Sequence, residues 1–157
     1  MPLPERLSAD PPRKRSQIRC LRAIMRANAA LRDAHKDFMQ ELGTNLTEFD
    51  FLAALGNTNG LRMKDLAHAM ITTPSNVTRV CATMEKKGLA VRERSAESDR
   101  EVIARLTEEG QQRFEELFPR IAHYTTSLMD EVIGADQQRA VADALEQLVA
   151  ELTATRE

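Results

Sequence analysis

The sequence predicts a mainly α-helical domain that carries one small β-hairpin. Three observations lead there. Gly and Pro are sparse, six of each in 157 residues, which disfavours a sandwich or barrel built on many tight turns. Apolar residues recur at helical spacing through most of the chain. Two short β-prone runs, LAVRER (89–94) and REVIARL (100–106), flank the polar, turn-like SAESD. The length suits one domain with a real core, built from Ala, Leu, Val, Ile and Met with five Phe, one Tyr and no Trp.

Residues 1–15, MPLPERLSADPPRKR, are Pro-rich and polar and read as a flexible arm. From Ser16 to Leu42 the apolar positions Ile18, Leu21, Ile24, Met25, Leu31, Phe38, Met39 and Leu42 mark a long helix that Gly43 ends. Thr47, with Asp50 three residues on, is placed to cap a second helix whose apolar side is Phe49, Leu52, Ala53 and Leu55. GNTNG (56–60) is turn chemistry, and MKDLAHAM follows as a short helix with Leu66, Ala67 and Met70 inward. Thr73 is a good N-cap, and Pro74 suits the first helical position because its missing N–H would be unpaired there anyway. Val77, Val80, Cys81 and Met84 then repeat at i, i+3, i+4, i+7 as a buried stripe, and Gly88 closes the helix. Beyond the hairpin, Thr107 caps a long helix with Phe114, Leu117, Phe118, Ile121, Leu128, Val132 and Ile133 inward and Pro119 expected to kink it. Gly134 ends it. Asp136 caps the last helix, whose apolar side is Val141, Leu145, Leu148, Val149 and Leu152.

Helix, helix, tight turn, second helix and β-hairpin is the winged helix-turn-helix plan, with the hairpin as a wing beside a groove-reading helix. The charge distribution agrees. The chain carries a net −2, but nine basic and six acidic residues lie between Arg62 and Arg105, a local +3 on an acidic remainder. The helix starting at Pro74 turns Ser75, Asn76, Arg79, Thr83 and Lys86 away from its buried stripe, a face too weakly charged for a helix that meets only water. Asn can pair with adenine and Arg with guanine through two hydrogen bonds each, while Ser and Thr adapt to base edges or phosphate. The first helical turn also offers backbone N–H groups to phosphate.

The segment LTEFDFLAAL … LRMKDLAHAM … TPSNVTRVCATMEKKGLAVRERSAESDREVIARLTEEG, Leu46 to Gly110, resembles the MarR family of bacterial winged-helix regulators, most densely in VTRV…MEKKGLAVRER and RLTEEG. The resemblance implies a homodimer whose first and last helices interleave, here residues 16–45 and 111–157, around a DNA-binding region at 46–110. It places two reading heads on successive major grooves and makes the Pro74 helix the one that reads DNA. Ser75, Asn76, Thr78 and Arg79 match the family's base- and phosphate-facing positions, and Arg100 matches the wing-tip arginine that enters the minor groove. Thr73, Lys86, Arg92 and Arg94 complete the expected DNA-binding set. One departure is Ser98, two residues before Arg100 where the family usually has an acid; Asp99 lies between them.

Many members of the family answer to a small molecule, often a phenol or aromatic carboxylate. Cys20, His35 and His123 are the candidate effector-binding residues. The expectation is therefore a ligand-responsive repressor on a pseudo-palindromic operator. Oxidant sensing through Cys20 is one alternative, and a winged-helix module for protein contact with an idle DNA face is another. The cysteine stands among Ile18, Leu21 and Ile24, where a buried, inert thiol is the commoner outcome. No Gly-rich phosphate loop, nucleophile elbow or HExxH is present, so no enzyme activity and no cofactor are expected. His35, His68 and His123 lack ligand spacing, and no metal is expected. With no CxxC pair, no signal-peptide core and no apolar run of membrane-spanning length, the reading is a soluble cytoplasmic protein.

Overall fold

The structure, a computed structural model, describes residues 12–94 and 101–154. Among the described residues, six helices and three strands follow one another: α1 (Pro12–Glu41), α2 (Leu46–Leu55), β1 (Leu61–Arg62), α3 (Met63–Ala69), α4 (Pro74–Lys86), β2 (Ala90–Arg94), β3 (Val102–Leu106), α5 (Glu108–Val132) and α6 (Ala135–Ala154). The chain divides into two compact units, Met1–Thr47 and Glu48–Glu157. In the second, the expected order of helix, short helix, helix, hairpin and long helix is present. This is the winged helix-turn-helix architecture.

The core of that unit is apolar and continuous across elements. Phe51, Leu52 and Leu55 of α2, Leu66 and Ala67 of α3, and Phe114, Leu117 and Ile121 of α5 are buried. So are Val77, Val80, Cys81 and Met84, the whole stripe foreseen for α4. Phe51 was not among the expected inward residues of α2, yet it is fully buried. A helix enclosed on more than one side buries positions that a single-stripe pattern assigns to solvent.

The sheet has three strands, not two, in the order β1-β3-β2 with antiparallel pairing throughout. Leu61 pairs with Ala104 and Arg62 with Ile103, while Ala90 to Arg94 pair with Leu106 to Val102. A two-residue strand carries no period, so β1 is invisible to pattern reading. Two expected caps also differ. α2 starts at Leu46, which places Thr47 inside its first turn. α6 starts at Ala135, so Asp136 lies in its first turn and pairs with Arg139. α5 runs unbroken through Pro119.

Three helices end in the same turn. Gly43, Ile71 and Gly88 each donate their N–H three residues back, to Gln40, His68 and Glu85, at 2.9–3.0 Å. The next residues, Thr44, Thr72 and Leu89, donate five back at 2.9–3.0 Å. The turn requires a left-handed residue, with φ of 66°, 50° and 73° respectively. Glycine adopts this freely; Ile71, β-branched and 94% exposed, does so under strain that no burial offsets.

Beyond the wing the chain is stapled at one point. The Thr107 N–H donates to the Leu89 carbonyl at 3.1 Å, and its hydroxyl donates to the Gly88 carbonyl at 2.7 Å while accepting from the Gly110 N–H at 3.0 Å. α5 approaches so closely that a Cβ on Gly110 would stand 2.0 Å from the Leu89 oxygen.

The expected apolar sides of α1 and of the end of α5 are open in part, and that of α6 is open throughout. Leu21, Met25, Leu31, Phe118, Val132, Val141, Leu145, Leu148, Val149 and Leu152 are exposed, and α6 buries nothing. Phe118 rests its ring against Phe114, with centroids 5.2 Å apart.

Two stability outcomes follow. Gly110→Ala should destabilise the fold by about 3 kcal/mol, because backbone rather than a movable side chain meets the new methyl; denaturant titration measures it. Ile71→Gly should raise stability by roughly 0.5–1 kcal/mol, since relief of the left-handed strain outweighs the chain entropy of glycine. A melting temperature at or below the parent's would contradict that balance.

Candidate nucleic-acid interface

Helix α4 begins as its sequence dictates. Thr73 is extended, accepts from the Asn76 N–H at 3.3 Å, and precedes Pro74 at the first helical position. Pro74 has no N–H and that of Asn76 is capped. Among the described residues, the Ser75 N–H is therefore the one donor of the first turn without a partner. The side chain of Thr73 also bonds that of Ser75 at 3.2 Å.

With the apolar stripe buried, Ser75, Thr78, Arg79, Thr83 and Lys86 are exposed and Asn76 is half-buried. The hydroxyls of Thr78 and Thr83 donate back to the carbonyls of Pro74 and Arg79, at 3.0 and 3.1 Å, and keep acceptor capacity outward. Asn76 lies between two partners. Its Nδ2 donates to Thr72 Oγ1 at 2.9 Å, and its Oδ1 accepts from the Arg79 guanidinium at 2.8 Å.

The wing is tied to this helix by charge. Arg92 on β2 grips Glu85 of α4 with two bonds, Nε to Oε1 at 3.0 Å and a terminal nitrogen to Oε2 at 2.6 Å. That side-on pairing raises the Arg92 pKa further above its ordinary value, so the cation is permanent. Lys87 reaches Glu48 at 2.6 Å, and Arg105 pairs with Glu93 across β2 and β3 at 3.3 Å. At the base of the wing Arg62 bonds Asp65 at 2.9 Å and Glu101 at 3.1 Å, joining the start of α3 to the chain entering β3. Glu101 first and Asp65 second raise the Arg62 pKa.

The expected DNA-binding residues thus fall into groups. Thr73, Ser75, Asn76, Thr78 and Arg79 share the first two turns of α4, and Lys86 is exposed at its last turn. Arg92 is committed to Glu85, whereas Arg94 is exposed at the outer end of β2. Arg100, with Ser98 and Asp99, lies outside the described residues. Three residues of this surface escaped pattern reading. Thr72 stands four before Asn76 but outside the helix, and Glu85 meets Arg92 only because the chain reverses at Gly88. Glu101 reaches Arg62 from 39 residues away.

Cys20 is exposed, contrary to the buried thiol expected at its position. The single chain leaves that part of α1 uncovered, so helical spacing among apolar residues did not translate into burial. Cys81 is buried; burial first, then Glu85, pushes its thiol up to about 11, which keeps it protonated and unreactive. His35 bonds the Leu31 carbonyl at 2.7 Å within α1, and His123 is exposed on α5. None of Cys20, His35 and His123 lines either of two shallow clefts. One, near 460 Å³, lies at Arg62, Asp65 and Glu101; the other, near 290 Å³, lies at Arg32, Lys36 and Asn45. Among the described residues no three His, Cys, Asp or Glu side chains are grouped to hold a metal. No helix among them is long and apolar enough to cross a membrane.

Residues 44–102 match the model of the MarR family. An uncharacterized HTH-type transcriptional regulator of Bacillus subtilis, YfiV, is 28% identical over 105 residues, 67% of this chain and 65% of the relative. The chain thus spans just under two thirds of that relative's length. AbsC, a MarR family transcriptional regulator from Streptomyces coelicolor, superposes with a TM-score of 0.79 at 20% identity, covering 88% of this chain and 95% of AbsC. Sco3205, a MarR family regulator from the same organism solved in complex with DNA, superposes with a TM-score of 0.75 at 24% identity, covering 84% of each chain. The capped helix, its exposed polar face and β2 sit inside the matched segment, so residues 44–102 resemble the MarR family, and the fold is the winged helix-turn-helix of these solved structures.

Proposed function

We propose that the chain works as a homodimeric, sequence-specific DNA-binding regulator, a ligand-responsive repressor at a pseudo-palindromic operator. The observation that carries this reading is the outer face of α4. Its small polar residues and single arginine are exposed in the first two turns, on a helix whose other side is fully buried. Small side chains let a helix sit deep in the major groove, and Arg79 offers the donor pair that guanine accepts. The Ser75 N–H and the positive end of the helix dipole suit a phosphate.

Dimer formation is supported by α6. Val141, Leu145, Leu148, Val149 and Leu152 form an exposed apolar stripe at i, i+4, i+7, i+8 and i+11. A helix with such a stripe and no buried residue needs a covering surface. The exposed Leu21, Met25 and Leu31 of α1 have the same need, and a second copy supplies both faces at once by symmetry. Two reading heads held by one clasp call for half-sites about one helical turn apart. Control by a small molecule then requires an effector that prefers one spacing of the heads over the other.

Selection of duplexes from random genomic fragments by the purified protein tests the reading. Replacing Arg79 by Ala should weaken binding to the selected duplex by ~1–3 kcal/mol while sparing random DNA. Equal retention of selected and random fragments by the parent protein counts against sequence-specific reading. Leu145→Glu with Leu148→Glu should leave a folded monomer in sedimentation that no longer holds a two-half-site operator. A dimer persisting in that variant assigns the clasp elsewhere.

A further inference from the structure

Arg79 does not stand alone on the face of α4; it ends a chain of polar groups. Thr72 precedes the helix, and its backbone is pinned by the bond of its N–H to the Ala67 carbonyl at 3.0 Å. Its hydroxyl accepts from Asn76 Nδ2 at 2.9 Å, and Asn76 Oδ1 accepts from Arg79 at 2.8 Å. The direction of this chain is forced. A guanidinium has donors only, so the amide oxygen must face Arg79 and the amide nitrogen must face Thr72. The backbone of Asn76 is fixed in turn by the Thr73 cap.

This line runs from the turn before the helix onto its surface, where Asn76 and Arg79, three residues apart, are neighbours. Asn76 uses both ends of its amide along that line. Arginine is a long, rotamer-rich side chain, and binding loses less of its rotamer freedom when the guanidinium is already held. The remaining donors of Arg79 have no partner among the described residues.

We infer that Asn76 is a positioning residue. Oriented by Thr72, it holds the Arg79 guanidinium for a guanine edge and reads no base of its own. This rests on the proposed role in reading DNA and adds to it a specific determinant: a guanine in each half-site, with recognition by Arg79 dependent on Thr72 and Asn76.

The experiment uses the full chain and the operator duplex it selects, with each half-site guanine replaced in turn by 7-deazaguanine, which lacks the N7 acceptor. The parent should lose about tenfold in affinity at one guanine, and Arg79→Ala should not sense that replacement at all. In Asn76→Ala, with Arg79 intact, the penalty should shrink below about threefold, and the double variant should bind no worse than Arg79→Ala. Asn76→Asp still accepts from the guanidinium, so the penalty should persist even if overall affinity falls from repulsion of phosphate. Thr72→Val should reduce the penalty, and Thr72→Ser should restore it. These ratios separate positioning from folding, because a merely destabilised helix loses affinity for all duplexes together.

An Asn76→Ala protein that keeps the full 7-deazaguanine penalty and becomes indifferent to 7-deazaadenine overturns the inference, since Asn76 then reads adenine directly. A parent protein that selects no duplex defeats the DNA-reading proposal itself, a result distinct from either pattern.

Discussion

Burial of one side of α4 is the constraint on which the surface depends. Val77, Val80, Cys81 and Met84 have nowhere to go but inward, and each is 4% exposed or less. Fixing four positions over two turns of a helix leaves no freedom of rotation about its axis. Ser75, Thr78, Arg79, Thr83 and Lys86 are thereby held outward. The polar face is a consequence of the apolar one. A sequence that kept the polar residues but loosened the stripe would present them at no defined angle.

The second element of order is the short path between α4 and α5. Gly88 ends one helix, Leu89 lends its carbonyl to the next, and Thr107 bonds both. The wing strands leave and return within this junction, so their base is set by backbone hydrogen bonds. Arg92 and Glu85 add a charged strut from strand to helix, and Arg62 with Glu101 braces the opposite side. Exposed ion pairs contribute little to stability, commonly under about 1 kcal/mol each. Their value here is geometric: they limit how far the wing can swing relative to α4. Arg92 serves this surface as a brace, whereas Arg94, further along β2, is exposed.

The helices at the two ends of the chain obey a different logic. Their periodicity is that of amphipathic helices, yet part of the apolar side of α1 and the apolar side of α6 remain exposed in the single chain. Exposed apolar side chains aligned over three turns are expensive in water, each forgoing roughly 1.5–3 kcal/mol of burial. Sequence periodicity says that such a face will be covered but not by which surface. The same uncovered state explains the exposure of Cys20 beside Leu21.

Much of the architecture was written locally. Helix caps at Thr73 and Thr107, the stripe of α4, the glycine stops at 43 and 88, and the two long wing strands all rest on interactions between residues close in sequence. The candidate face on α4 was legible for the same reason. What tertiary structure alone decided involves partners brought together by chain reversal: the strand at Leu61–Arg62, the burial of Phe51, and the grip of Arg92 on Glu85. The bonding of Asn76 to both Thr72 and Arg79 stands between these cases, since spacing permits it but only rotamers select it. Local sequence determines which backbone turns close and which side of a helix is apolar, because those depend on steric and solvation terms within a few residues. Which side chain satisfies which distant partner depends on how the closed elements pack, and that is settled only when the whole unit has formed.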